Sequence, residues 1–287
     1  METCDLVQGT DAWKKWRKSM VGASDASSIL GIGFQTPNEL WEQKMGFREE
    51  EDQTTAMSLG IEIEDAAREF FLSQTGIKMT PKVVIHEEHK WMHASLDGIS
   101  DDGKMILEIK RVKSEYHEMA RSGNLPEIYY PQIQHQLSVT GLNECFYLSY
   151  RKDDCILLKI QRNDDFIRDL IHKELEFKNC LDTMTPPPLS ERDYIDMSFH
   201  EELSQLVWEY DKHRKEAQSH EMLATANLER IKEIAGEKNI KGQNFKITKY
   251  MMKGRMNYEA VIEELLPGYN LEVYRKEPKI CYRVSVK

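Results

Sequence analysis

The first residues in this 287-residue chain whose types and spacing could do chemistry lie on two neighbouring strand patterns. Residues 93–99 and 105–110 alternate like strands, and the turn signal Asp101-Asp102-Gly103 lies between them. Side chains on a strand alternate between its faces, so Glu108 and Lys110 share one face of the returning strand. Asp97, across the hairpin, supplies a second carboxylate. Such charges are costly to bury unless they have partners.

These side chains predict a site for a divalent cation. Two carboxylates that converge repel each other, and oxygen ligands of this kind suit Mg²⁺ or Mn²⁺. A metal there can lower the pKa of a bound water and polarise a phosphoryl oxygen. Lys110 would then orient that water or stabilise developing negative charge. The alternative is an exposed hairpin that carries Asp97, Glu108 and Lys110 by chance.

A third carboxylate lies in a predicted helix. Residues 60–71 follow a helical pattern after a glycine-containing loop, and Glu64 and Arg68 lie on the same stripe. Glu64 could therefore reach a metal site while Phe70 or Phe71 anchors the helix. The alternative is an acid that is favoured in the first turn of a helix.

Two polar segments remain open between a ligand and a structural role. Residues 129–141 predict an amphipathic helix closed by Gly141, with Gln132 and Gln136 on one face that could equally be exposed to water. Residues 13–24 interleave basic and aromatic side chains before a helix predicted at 25–30. Backbone N–H groups at that helix start favour a phosphate, and Arg17 could clamp it. The alternative is a helix capped by Ser24 with both tryptophans of the segment in the core.

The elements that must position these residues fall into regions. Residues 1–185 mix helical and strand patterns, and Pro186-Pro187-Pro188 begins a stiff linker over 186–197. Residues 198–237 predict one long helix or a helical hairpin, packed on its own protein or forming a weak coiled coil. Residues 238–287 predict a small α+β tail with strands near 245–248 and 282–286 and a helix at 258–266.

Composition excludes several classes of protein. Lys and Arg number 39 against 49 Asp and Glu, a net charge of −10, which argues against binding nucleic acid by bulk charge alone. The tail is the exception, with eleven basic and five acidic side chains; this predicts either a surface for a polyanion or a basic face docked on the acidic body. We expect no signal peptide and no membrane span. Five scattered cysteines without a Cys-x-x-Cys pair indicate reduced thiols in a cytoplasm.

Read in order, the motifs resemble one family over roughly residues 6–150. That family is the phage-type alkaline exonucleases, which include the lambda exonuclease and the YqaJ-like viral recombinase nucleases of the restriction-endonuclease-like superfamily. The residues that carry the resemblance are Arg17 with Gly22-Ala23-Ser24, Gly60, Glu64, Arg68, Ser95, Asp97, Gly98, Glu108, Lys110, Gln132, Gln134 and Thr140.

The resemblance implies a fold and a set of roles. The fold would be α/β, a restriction-endonuclease-like core with a central mixed sheet flanked by helices, plus a helical and α+β C-terminal extension. By analogy, Asp97 and Glu108 would bind two catalytic Mg²⁺ ions, for which Mn²⁺ would substitute, and Glu64 would complete the metal and water shell. Lys110 would activate the attacking water. Gln132 would lie beside the active site, with Gln134 as the competing match.

The same resemblance implies an end-binding pocket and an activity. A DNA 5′-phosphate would be held by Arg17, Ser24 and Ser95. The protein would degrade linear double-stranded DNA from its 5′ end and leave 3′ single-stranded tails for a single-strand annealing protein. A trimer is the family default, and the location would be the host cytoplasm.

Departures from the family keep two other functions open. Residues 186–287 have no counterpart in the lambda enzyme, and Lys113 to Tyr116 do not align with its basic residues. The dispersed cysteines predict no iron–sulfur cluster. The alternatives are an endonuclease or single-strand-specific nuclease of the same superfamily, and a non-catalytic DNA-binding recombination adaptor.

Overall fold

The computed structural model describes residues 1–4, 10–48, 55–151, 154–265 and 268, with the backbone alone for residues 55–62, 259 and 263. Within this description the chain divides into two units, Met1–Ile195 and Asp196–Lys287. None of the helices described has the length and apolar character needed to cross a bilayer. Four cysteines, Cys4, Cys145, Cys155 and Cys180, are free thiols, and Cys281 lies outside the described residues.

A mixed sheet forms the centre of the first unit. Most of its strands follow the order β1-β3-β4-β5-β6-β7, and β2 joins β4 at one side. Neighbours pair antiparallel except for two parallel pairs, β5 with β6 and β2 with β4. The strands are β1 (Glu2–Thr3), β2 (Val21–Gly22), β3 (Met79–Ile85), β4 (Met92–Ser100), β5 (Ile106–Lys110), β6 (Glu144–Ser149) and β7 (Ile156–Gln161).

Helices cover this sheet and supply much of its core. Ala67 and Phe71 pack with Leu107 and Ile109 in one cluster, whereas Ile133 and Leu137 pack with Ile106 in another. The helices are α1 (Asp11–Lys18), α2 (Ala26–Ile29), α3 (Pro37–Met45), α4 (Thr55–Thr75), α5 (Ser114–Arg121), α6 (Tyr130–Thr140) and α7 (Asp164–Asp182). The predicted mixed sheet flanked by helices is confirmed.

Strand β4 pairs with β3 along one edge and with two different strands, β2 and β5, along the other. Met92 and His93 pair with β2, and Gly98 and Ile99 pair with β5. Residues 94–97, between these two pairings, have no strand partner on that side among the described residues. The functional side chains predicted on β4 lie in this interval.

Two helix starts differ from the sequence prediction. Helix α4 begins at Thr55, so Gly60 lies inside it and Glu64 is not in its first turn. Its interior position removes the first-turn explanation for that acid. The helix predicted at 25–30 begins at Ala26, with Asp25 and not Ser24 at its N-cap position. Thr10 caps the first helix, since its hydroxyl accepts the N–H of Trp13. Ser24 lies in a short 3-10 turn that leads into α2.

The proline-rich segment packs on the first unit, where the sequence predicts a linker. Arg192 donates to the carbonyl oxygens of Gly31, Gly33 and Phe34 at 2.8–3.0 Å. The Thr36 hydroxyl donates to the Asp193 carboxylate. Residues up to Ile195 therefore belong to the first unit, because their polar side chains satisfy backbone groups of the loop after α2.

The second unit is described only in part. Residues Glu201–Ala235 form one continuous helix, α8, rather than a hairpin, and His200 caps it by accepting the N–H of Leu203. Ile240–Lys241 (β8) and Lys246–Ile247 (β9) pair antiparallel, and α9 spans Tyr258–Leu265. The strand predicted at 282–286 lies outside the described residues.

Candidate active site

The site begins where β5 separates from β4. The ladder ends at the pair of Gly98 with Leu107, so the next backbone groups need other partners. The Asp97 carboxylate accepts the N–H of Ile109 at 2.7 Å. Arg68 of α4 donates to the Asp97 carbonyl oxygen at 2.8 Å. Side chains therefore satisfy the backbone groups where the sheet opens, and the Asp97 carboxylate lies beside β5.

Glu108 lies at the centre of the site and is almost fully buried, with 1% of its surface exposed. Its Oε1 atom accepts from Gln132 and pairs with the Lys110 ammonium, both at 2.6 Å. Its Oε2 atom accepts from Gln136 at 2.5 Å. Both glutamines come from α6, so this helix and β5 together hold the carboxylate.

Lys110 is held as a cation beside the carboxylates. Burial opposes its charge, but Glu108 and Asp97 outweigh that cost and raise the pKa of the ammonium. Its Nζ atom also lies 5.6 Å from the centre of the Tyr129 ring, a cation–π distance. The lysine therefore presents a permanent positive charge, partly exposed, at the edge of the carboxylate pair.

Repulsion among carboxylates marks the place as suited to a cation. Burial and the neighbouring Glu108 raise the pKa of Asp97 well above its ordinary value. Burial raises the pKa of Glu64, and Glu108 adds to that rise although Arg68, 3.5 Å away, opposes it. A divalent cation would reduce the repulsion among these carboxylates. Because their oxygens are hard donors, Asp97, Glu108 and Glu64 are chemically suited to bind such a metal. As the side chains stand, no three described His, Cys, Asp or Glu residues already surround a common metal position.

The three glutamines of α6 have different surroundings. Gln132 and Gln136 both contact Glu108, whereas Gln134 donates to Gln161 O and accepts from Asn163 N, away from the carboxylates. The sequence pattern places Gln132 and Gln136 on one face but indicates no role for Gln136. The signal that could have found it is the i, i+4 spacing of two amides opposite a buried carboxylate.

A second group of predicted residues forms a corner between α1 and α2. Arg17 donates to the Ser24 hydroxyl at 2.8 Å, and this contact is accessible to solvent. Asp25, beneath it, pairs with Lys44 at 2.7 Å. Burial alone would raise the pKa of Asp25, but the Lys44 and Arg17 cations outweigh it and lower the value to about 2. Asp25 therefore stays ionised and fixes the corner.

Ser95 lies between this corner and the carboxylates. The 3-10 turn that holds Ser24 packs against β4, the strand that carries Ser95. The Ser95 hydroxyl is buried, and within the described residues it has no hydrogen-bond partner. It shares one face of β4 with Asp97, two residues further along. The structure gives no direct contact between Ser95 and Arg17.

Part of the chain is similar in sequence to known proteins. Residues 12–143 match the YqaJ-like viral recombinase domain. The uncharacterised protein YqaJ of Bacillus subtilis (strain 168) is 32% identical over 176 residues. That alignment covers 59% of this chain and 55% of the relative, so the chain spans little more than half of that protein.

A solved structure gives a match of similar extent. The alkaline exonuclease LHK-Exo from Laribacter hongkongensis is 25% identical with a TM-score of 0.54, and the match covers 61% of this chain and 94% of that one. A second structure of LHK-Exo, in complex with dAMP, matches equally well. Residues 12–143 are therefore similar to the YqaJ-like viral recombinase domain, and the sheet and helices around them have the alkaline exonuclease fold.

Proposed function

We propose that this protein is a metal-dependent 5′-to-3′ exonuclease that degrades linear double-stranded DNA and leaves 3′ single-stranded tails. The observation that carries the proposal is the convergence of Asp97, Glu108 and Lys110 where β5 leaves β4, with Gln132 on the central carboxylate. The fold shared with LHK-Exo, an alkaline exonuclease, supports the same chemistry.

Each side chain has a role in this proposal. Asp97, Glu108 and Glu64 would hold two Mg²⁺ ions, with Mn²⁺ as a substitute. When bound, such ions supply Lewis-acid polarisation of the phosphate and lower the pKa of water. Lys110 would orient the attacking water and stabilise the charge that develops on the scissile phosphate. Gln132 would keep Glu108 and Lys110 in register by its shared contact at Oε1.

The preference for a 5′ end would come from the second group of residues. Arg17 and Ser24 present an accessible cation and hydroxyl, and the buried Ser95 hydroxyl lies on the strand that carries Asp97. Two residues of a strand span about 7 Å, comparable with the spacing of neighbouring phosphates along a DNA strand. A terminal phosphate at Ser95 would therefore place the next phosphate at Asp97, so the product would be a mononucleotide. LHK-Exo has been solved with a mononucleotide, dAMP.

The decisive experiment is digestion of linear duplex DNA with 5′-phosphate or 5′-hydroxyl ends, in Mg²⁺ or in EDTA, with closed circles as a control substrate. We expect loss of linear DNA only, only with metal, and faster from 5′-phosphate. Lys110→Ala should lower the rate by about 10²–10³-fold, because it removes a preorganised cation. Lys113→Ala, an exposed lysine just beyond β5, is the matched control and should keep the wild-type rate.

The other outcomes separate the alternatives. Equal cutting of circles would make the protein an endonuclease and remove the end pocket, and cutting of single strands alone would make it single-strand-specific. Absence of cutting by folded wild type that binds Mg²⁺ would favour a DNA-binding adaptor. The proposal extends to partners: a single-strand annealing protein would take the 3′ tails, in the host cytoplasm, and a homotrimer is the expected assembly. Co-purification with that protein and mass measurement in solution test both statements.

A further inference from the structure

We propose that Gln136 is a positioning residue that holds Glu108 from its buried side and so selects the carboxylate oxygen that turns to a metal ion. This rests on the proposed metal-dependent function. The contact that carries it is the 2.5 Å hydrogen bond from Gln136 Nε2 to Glu108 Oε2. Both side chains are buried, with Gln136 fully inaccessible and Glu108 at 1%.

The two oxygens of Glu108 differ in what surrounds them. Oε1 contacts Lys110 and Gln132, which are both partly exposed. Oε2 contacts Gln136, which has no exposed surface. A cation from solvent would therefore meet Oε1 first, where its two partners are partly exposed. Gln136 lies on the far side and can keep its hydrogen bond when a cation binds there.

Gln136 is itself fixed by the helix that carries it. The next residue back, His135, is buried and bonds the Glu174 carboxylate at 2.7 Å and the His93 carbonyl oxygen at 3.0 Å. The bond to His93 ties α6 to β4, the strand that bears Asp97. Gln136 therefore sets the position of Glu108 relative to Asp97 and not merely relative to its own helix.

The carbonyl oxygen of the Gln136 amide supports the same role. Its Oε1 atom is buried without a hydrogen-bond partner among the residues that the structure describes. A buried carbonyl without a partner lowers stability, because it has lost its hydrogen bonds to water. An apolar side chain of the same length would avoid that cost, but it could not donate a hydrogen bond to the Glu108 carboxylate. Hydrogen bonds of this kind orient ligands and commonly alter metal affinity by about 10–100-fold.

The test is calorimetric titration of the full chain with Mn²⁺ alone, without DNA. We expect Gln136→Met, which keeps the length but cannot donate, to bind Mn²⁺ about 10–100-fold more weakly than wild type. Gln134→Met is the matched control, since Gln134 is equally buried on the same helix and makes two hydrogen bonds, none of them to Glu108. Its Mn²⁺ affinity should equal that of wild type.

Urea unfolding without metal shows whether each variant is folded. If Gln136→Met does not fold, Gln136→Asn, which is too short to reach Oε2, replaces it with the same expected loss. Unchanged Mn²⁺ affinity in the Gln136 variant, or an equal loss in Gln134→Met, would overturn the positioning role while leaving the nuclease proposal intact. Failure of wild type to bind Mn²⁺ would overturn both.

Discussion

Asp97 serves the fold and the proposed chemistry with the same carboxylate. One oxygen accepts the N–H of Ile109 where the ladder opens, and burial with Glu108 nearby raises the pKa of the group. A raised pKa means that the folded protein holds the proton more tightly than the unfolded chain. The stability that this proton gives is present at low pH and is lost as pH rises through the folded value.

Substitution of Asp97 should therefore separate stability from function. Asp97→Asn keeps an acceptor for Ile109 but removes the charge, so the metal-free variant should unfold at higher urea than wild type above pH 7. The gain should grow with pH, at about 1.4 kcal/mol for each unit by which the pKa is raised. Asp97→Ala leaves the Ile109 N–H unpaired and should lose about 1–3 kcal/mol relative to the Asn variant.

Both variants should be inactive on DNA, because each removes a proposed ligand. Urea titrations at pH 6, 7 and 8 in EDTA measure the two stabilities, and digestion in Mg²⁺ measures the activity. An Asn variant no more stable than wild type at pH 8 would contradict the account of carboxylate repulsion.

Arg17 gives a second prediction at the scale of one residue. Arg17→Lys keeps a positive charge near Asp25 but loses the planar donor pair that suits a phosphate. We expect the rate ratio between 5′-phosphate and 5′-hydroxyl ends to fall by about tenfold, the worth of roughly 1.4 kcal/mol of end recognition. Lys15→Ala, an exposed change on the same helix, should leave the ratio unchanged. An unaltered ratio in Arg17→Lys would place end recognition elsewhere.

The residue types at the site could be predicted from the sequence more easily than their contacts. Alternation along a strand was enough to place Glu108 and Lys110 on one face. No local pattern indicates that Asp97 replaces a ladder acceptor or that Lys44 neutralises Asp25, since these contacts join residues that are distant in sequence. Site geometry depends on tertiary packing, which periodicity does not encode.

At the scale of elements, α6 is the part least expected from its composition. A helix with three polar side chains in succession after Ile133 would ordinarily turn a face to water, yet Gln134, His135 and Gln136 are fully buried. Each has a polar partner on a neighbouring element, which makes the burial tolerable. Its extent could be predicted, because Gly141 ends it with a left-handed backbone, φ 72°. Its inward polar face could not.

The His135–Glu174 pair predicts how the first unit responds to pH. Burial would lower the pKa of His135, but Glu174 outweighs it and raises that pKa, and burial raises the pKa of Glu174 as well. The folded pair therefore keeps its proton above the ordinary value of the histidine, 6.5. The stability from this pair is full below that pH and is lost as pH rises through the folded value.

We therefore expect Glu174→Gln to flatten the pH dependence of urea unfolding between pH 6.5 and 9, since His135 then loses its carboxylate. At pH 6.5 the variant should be about 1–3 kcal/mol less stable than wild type, and the difference should narrow as pH rises. Glu176→Gln, an exposed carboxylate on the same helix, is the control. A constant difference across this range would show that the pair does not titrate there.

At the scale of the whole molecule, the segment that ends the first unit packs on that unit, although its composition predicts a linker. Three prolines favour an extended segment, and the sequence therefore predicts a linker from residue 186. The structure instead shows Arg192 and Asp193 on the loop between α2 and α3. A stiff chain can pack as readily as it can separate domains, and composition does not distinguish these cases.

Two truncations test this boundary. A chain that ends at Ile195 should keep the unfolding midpoint and the Mn²⁺ affinity of the first unit. A chain that ends at Thr185 loses the Arg192 contacts to three carbonyl oxygens and should unfold at clearly lower urea, by about 1–3 kcal/mol. Equal stability of the two chains would return the segment to the role of a linker.

The positions of the site residues along the chain also determine when the site can form during synthesis. The strand that carries Asp97 leaves the ribosome well before α6, and His135 must wait for Glu174 on α7. Closing such long loops costs conformational entropy that local helices do not repay, so these contacts form late. A nascent chain shorter than about 180 residues therefore holds an incomplete centre, and the ability to cut DNA should arise only when the first unit has been released almost in full.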